Sequence, residues 1–175
     1  MFNLRCRINH GRMGFRSTIL PGVYCRLKVD GCLWMSDTPY ERRTNADVIR
    51  HAHGDVLIHG LGLGMVVAGL IERPDDHPAG AITSITVVEI DPDVVALVGT
   101  MLPADPRVKI VLGDARSWRP PRGTRFDTVW ADIWEDVCSD NLEDIARLVR
   151  RARALRRSPD SWVGAWERDT ARSLA

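Results

Sequence analysis

The sequence predicts an α/β protein built on a doubly wound parallel sheet, and three observations carry that expectation. Apolar runs of strand length recur near residues 56–58, 82–90, 108–112 and 126–131, separated by stretches of helical length or by loops. Gly60, Gly62 and Gly64 follow the first run at alternate positions. An acid then stands at the end of each later run: Glu89, Asp114 and Asp132. Alternation of this kind implies right-handed crossovers and a sheet covered on both faces.

The chain of 175 residues fits one domain with a real core. Hydrophobic content of 45% and charged content of 27% describe an ordinary globular protein. A net charge of +1 gives no global argument for nucleic acid or membrane. No stretch of roughly 18 apolar residues is present, and the first residues lack the apolar core of a signal peptide. A cytoplasmic protein with no membrane partner is therefore expected. Cys6, Cys25, Cys32 and Cys138 are widely spaced and form no CxxC pair, which argues against a zinc site and does not suggest a disulfide framework. His51 and His53, two apart, fall on different faces of a helix, so no metal site is expected.

Residues 1–54 read as a lead-in of β-ribbon and helix, and residues 55–175 as the main domain. Residues 23–29 alternate well enough for a strand and 32–36 for another, with Asp30-Gly31 as a hairpin turn between them. An earlier strand is expected at 15–20. Asp37-Thr38-Pro39 breaks the pattern, and Thr44-Asn45 reads as the cap of a short helix that runs to about 53. Gly54 ends it.

The first buried strand then leads through the glycine turn into an apolar helix over 65–71. Residues 73–80 are rich in proline, aspartate and glycine and read as a surface loop. The strand at 82–90 is followed by Asp91-Pro92, an N-cap with proline at the first helical position. Val94, Val95, Val98, Met101 and Leu102 mark one face of that helix. After the strand at 126–131, a helix is expected over 139–157, with a stripe of Leu142, Ile145, Leu148, Val149, Ala152 and Leu155. Residues 162–166 form a short fifth strand.

In such sheets ligands bind beyond the carboxyl ends of the strands. The glycines leave backbone N–H groups open to an anionic group. A dinucleotide fingerprint would need its third glycine at position 65, which is Met65. A P-loop would need a lysine, and none lies near. The GxGxG pattern instead fits a ligand whose anionic end is a single carboxylate. An acid that ends the second strand is placed to take both hydroxyls of a ribose.

Residues 87–95 (VVEIDPDVV), 106–116 (PRVKIVLGDAR) and 126–132 (FDTVWAD) resemble the class I S-adenosylmethionine-dependent methyltransferases, and more narrowly their spermidine-synthase-like branch. The resemblance spans roughly residues 30–166. It implies a Rossmann-like fold of about five core strands, without the family's last two, and a small N-terminal hairpin. It implies S-adenosylmethionine held by His59, Gly60, Gly62 and Gly64 at its methionine end. Glu89 would then take the ribose, Ile90 would pack on the adenine, and Asp114 with Ala115 would form its rim. Asp132 would stand beside the sulfonium, as a base or as an anchor for the amino group, with Glu135 as a second catalytic acid. Trp134 and Trp34 would wall the acceptor, and Asp37 and Tyr40 match the lid.

Asp132 and Glu135 stand three apart, as the two aspartates of the aminopropyltransferases do, so decarboxylated cofactor is the alternative ligand. Against it, Leu63, Trp34 and Thr44 stand where those enzymes carry aspartate, glutamine and tyrosine. Methyl transfer to a small-molecule acceptor is the leading expectation, aminopropyl transfer the alternative, and cofactor binding without catalysis the third. Arg147, Arg150, Arg151, Arg153, Arg156 and Arg157 make the late helix basic, which keeps nucleic acid open as a partner. The edge of the fifth strand offers a route to a homo-oligomer.

Overall fold

The computed structural model describes residues 22–29 and 31–174, so the strand expected at 15–20 lies outside the described residues. The hairpin is present: β1 (Arg26–Val29) pairs antiparallel with β2 (Cys32–Ser36), with Val29 opposite Cys32. Asp37 accepts a hydrogen bond from the Cys25 N–H at 2.8 Å and pairs with Arg42 at 3.1 Å, which ties the hairpin to α1 (Pro39–Thr44). Pro39, expected only to break the strand pattern, opens this helix. Proline in the first turn opens a helix as readily as it interrupts one.

α2 (Ala46–His51) follows after Asn45 alone. The expected Asn45 side-chain cap does not form, because its Nδ2 donates backward to the Glu41 carbonyl at 3.1 Å. Asn45 therefore closes α1 instead of opening α2. By contrast, Asp91 caps α4 (Pro92–Met101) as expected, accepting from the Asp93 and Val94 N–H groups at 2.8 and 3.3 Å.

The main sheet contains β3 (Gly54–His59), β4 (Ile82–Glu89), β5 (Val108–Leu112), β6 (Thr128–Ala131) and β7 (Trp162–Ala165). All pairs are parallel, in the order β5-β4-β3-β6-β7. The chain winds from β3 out to β5, then returns to lay β6 against the other side of β3. The winding direction therefore changes between β3 and β6, and at such a point two loops diverge and leave a crevice.

Alternation along β3 decides which layer each side chain joins. Val56 and Ile58 pack with α2, α3 (Met65–Ile71) and α4, through Val48, Val67, Leu70, Val94 and Val98. Leu57 faces the opposite layer, with Val88, Val129 and Ala152 of α5 (Leu142–Ala154). The β5–β6 connection crosses that layer without a helix, and Trp118 packs against the core there. A 3-10 turn (Ser139–Asn141) precedes α5, so the α-helix proper is shorter than the sequence reading of 139–157. A further helix, α6 (Arg168–Ser173), is not expected from the sequence, because it carries a single buried apolar residue, Ala171, and so no periodic signal. No helix among the described residues is long and apolar enough to cross a membrane.

Candidate functional site

A cavity of about 480 Å³ opens beyond the carboxyl ends of β3 to β6, with Leu27, Trp34 and Met35 of the hairpin on its far wall. That volume suits a small-molecule site. Gly60, Gly62, Glu89, Ile90, Asp114, Ala115, Asp132, Trp134 and Glu135 all line it.

The glycine turn is shaped by close approach. Gly60 has φ +94, and a Cβ there would stand 2.0 Å from the Asp132 carbonyl oxygen, because the Asp132 N–H also donates to the His59 carbonyl at 2.9 Å. Gly62 has φ +51, and a Cβ there would stand 2.6 Å from Met35 Sδ. The same sulfur accepts from the Leu63 N–H at 3.2 Å. The Gly62 N–H has no protein partner among the described residues.

Glu89 is buried, and each of its oxygens already accepts one backbone bond. Oε2 accepts from the Leu61 N–H at 2.7 Å and Oε1 from the Asp91 N–H at 2.9 Å. A carboxylate has about four acceptor positions, so two remain for a ligand. Asp114 Oδ1 accepts from the Arg116 N–H at 2.8 Å, which holds Ala115 at the cavity wall. Trp134 is anchored from behind, its Nε1 donating to Asp144 Oδ2 at 3.1 Å, so it is both wall and core.

Across the cavity, the Asp132 carboxylate has no protein hydrogen bond among the described residues. Burial pushes its pKa up to about 7, and the nearby negative charge of Glu41 adds to the rise. The group therefore exchanges its proton near neutral pH. Glu135 lies at the exposed rim.

Several expected site residues lie elsewhere. The His59 ring is buried in the core and does not line the cavity; burial, with the Arg151 charge, pushes its pKa down to about 4. Gly64 is the left-handed residue before α3, and a Cβ on it would meet Leu102 and Val98 of the α4 end, so it serves packing. Asp37 fastens the hairpin as described, and neither it nor Tyr40 lines the cavity. Met35, Leu27, Arg116, Cys138 and Asn141 also line it, and none of them is expected there from the sequence. No motif announces them, since each arrives through the lean of the hairpin or the path of a loop.

The basic face of α5 is partly committed. Arg151 donates to the carbonyls of Arg116 and Trp118, Arg147 pairs with Glu143, and Arg157, which lies beyond the end of α5, bridges Asp55 and Asp127.

No protein-family model and no curated protein matches the chain. Solved structures do. The N-methyltransferase NodS from Bradyrhizobium japonicum is 17% identical with a TM-score of 0.54, over 78% of this chain and 74% of that one. TrmN from Thermus thermophilus is 15% identical with a TM-score of 0.51, over 78% and 41%. The CcbJ methyltransferase of Streptomyces caelestis is 23% identical with a TM-score of 0.48, over 69% and 47%, so this chain spans about half its length. The sheet order, the crevice at its switch point and the likenesses to NodS and TrmN together give the chain the Rossmann-like fold of methyltransferases.

Proposed function

We propose that the chain binds S-adenosylmethionine in the cavity at the switch point and directs its methyl group to a small nucleophile. The observation that carries this reading is Glu89, a buried carboxylate latched to the glycine turn with two acceptor positions free at the cavity wall. The fit is supported by the cradle itself: at Gly60 and Gly62 a Cβ would strike the Asp132 carbonyl and the Met35 sulfur, and the Gly62 N–H, with no partner among the described residues, suits a carboxylate. When bound, the cofactor supplies a methyl group already activated on a positively charged sulfur. Glu89 would accept from the ribose hydroxyls. Ile90, 60% exposed at the cavity, offers an apolar surface for the adenine, with Asp114 and Ala115 at its edge.

Asp132 then has one of two tasks, and its pKa of about 7 suits the first: it takes the proton that the acceptor loses. Positioning of the acceptor would supply most of the remaining rate. The acceptor is best read as an amine. Glu89, Asp91, Asp114, Asp132, Glu135 and Asp136 line the cavity, and Arg116, the one arginine among the described residues that lines it, is paired with Asp144 at 2.8 Å. Such a lining repels phosphate, which favours a small amine over nucleic acid.

Calorimetric titration with S-adenosylmethionine and S-adenosylhomocysteine tests the cofactor. Failure of the folded protein to bind either at millimolar ligand ends the proposal. Asp132 and Glu135 sharing one cavity favours a second reading, aminopropyl transfer. It requires decarboxylated cofactor to bind more tightly than the intact form and putrescine to turn over. The Gly62 N–H, without a partner among the described residues and suited to a carboxylate, supports the first reading.

A further inference from the structure

Beneath the glycine turn lies a second cavity of about 10 Å³, which shares Met35, Gly60, Gly62 and Asp132 with the main one and adds Asn45 and Trp130 to its lining. Both added residues are buried, at 4% and 3% exposure. Each keeps one buried polar atom without a partner among the described residues, Asn45 Oδ1 and Trp130 Nε1. We infer that this cavity seats one tightly held water that joins Trp130 and Asn45 to the Asp132 carboxylate, and that both are positioning residues for that group.

The chemistry of the three groups selects the occupant. The indole Nε1–H only donates, so its partner must accept, which an ammonium or a metal cation cannot do. The orientation of the Asn45 amide is set by its Nδ2, which donates to the Glu41 carbonyl at 3.1 Å and leaves Oδ1 as the acceptor. A water meets the whole set: it accepts from Trp130 and donates one proton to Asn45 and one to Asp132. The volume is that of about one water, and three polar partners fall within the usual two to four. Size and polarity agree, where an apolar void of the same size would stay dry.

Held in that orientation, the water always presents a proton to Asp132, which favours the ionised carboxylate. It opposes the two causes that raise Asp132, burial and the negative charge of Glu41 of α1. Glu89, Asp91, Asp114, Arg116, Glu135 and Asp136 are the other charged groups that line the main cavity with it. The inference does not rest on methyl transfer, because it concerns the protonation of one group in the free protein.

Two measurements on the full chain test it. A crystal structure should show a water within about 3.2 Å of Trp130 Nε1, Asn45 Oδ1 and an Asp132 oxygen. Carboxyl-carbon NMR on aspartate-labelled protein, with Asp132→Asn for assignment, should show the Asp132 midpoint rising by about half to one pH unit in Trp130→Phe and in Asn45→Ala. Trp162→Phe alters the ring stacked on Trp130, at a centroid distance of 5.8 Å, and should leave the midpoint in place. A dry cavity, an unmoved midpoint in both variants, or an equal movement in Trp162→Phe overturns the inference. If Trp130→Phe does not fold, the wild-type crystal structure and Asn45→Ala decide it.

Discussion

The Glu89 carboxylate accepts the Leu61 N–H at 2.7 Å, so the end of β4 and the turn after β3 are held by one side chain. Placing the ligand-facing acid and shaping the glycine turn are thus the same act. Glu89→Gln keeps the volume and one acceptor oxygen but loses the charge. We expect it to fold and to bind S-adenosylhomocysteine roughly 10- to 100-fold more weakly by calorimetry. Unchanged affinity would remove Glu89 from the ligand site.

Gly60 and Gly123 form a matched pair for testing the turn. Both have strongly positive φ, +94 and +90, yet a Cβ on Gly123 meets nothing within 4 Å. Gly123→Ala should cost only the conformational strain, about 1–2 kcal/mol in urea unfolding. Gly60→Ala carries that strain and also drives a carbon into the Asp132 backbone, so it should separate β3 from β6 and leave little folded protein. Equal costs for the two would contradict the close approach.

Asp132 and His59 make opposing contributions to stability as pH changes. Asp132 is raised from 3.8 to about 7, so between those values the folded state holds more protons and stability falls as pH rises. His59 is lowered from 6.5 to about 4, so over that span the unfolded state holds more protons and stability rises with pH. Each slope has a ceiling of about 1.4 kcal/mol per pH unit, and between roughly pH 4 and 6.5 they offset one another. Urea melts from pH 4 to 8 should therefore show Asp132→Asn gaining stability with pH more steeply than wild type, and His59→Gln losing it. Parallel profiles for all three proteins would show that neither group is shifted as described.

Arg157 joins two strands at the end of the sheet away from the cavity, with its Nε 2.9 Å from Asp127 and its guanidinium also on Asp55. Arg157→Ala leaves those two carboxylates facing each other. It should lower stability by about 1–3 kcal/mol at pH 7 and leave cofactor affinity untouched. A matching loss of affinity would mean that the two ends of the sheet are coupled.

Much of the sheet was legible because buried parallel strands are read from runs of apolar residues and their turns from glycine, proline and aspartate. The expected β5 boundaries match the observed Val108–Leu112, and the acids closing β4, β5 and β6 all reach the cavity. The expected site residues that do not line the cavity are held away from it for physical reasons. His59 precedes Gly60 in sequence, but strand alternation sends its ring into the core. Gly64 completes a glycine pattern, yet it is α4 packing that fills its space. Asp37 has the right charge and spends it within the hairpin. Met35 and Leu27 were invisible because nothing in a two-stranded ribbon says which part of the larger sheet it will lean on.

That lean has a consequence for how the chain drifts over generations. Met35 Sδ occupies the space a side chain at 62 would need, and it also receives the Leu63 N–H. Positions 35 and 62, in segments with no shared motif, are therefore one joint choice. Among descendants of this chain, a bulky residue at 62 should be found only beside a shrunken one at 35.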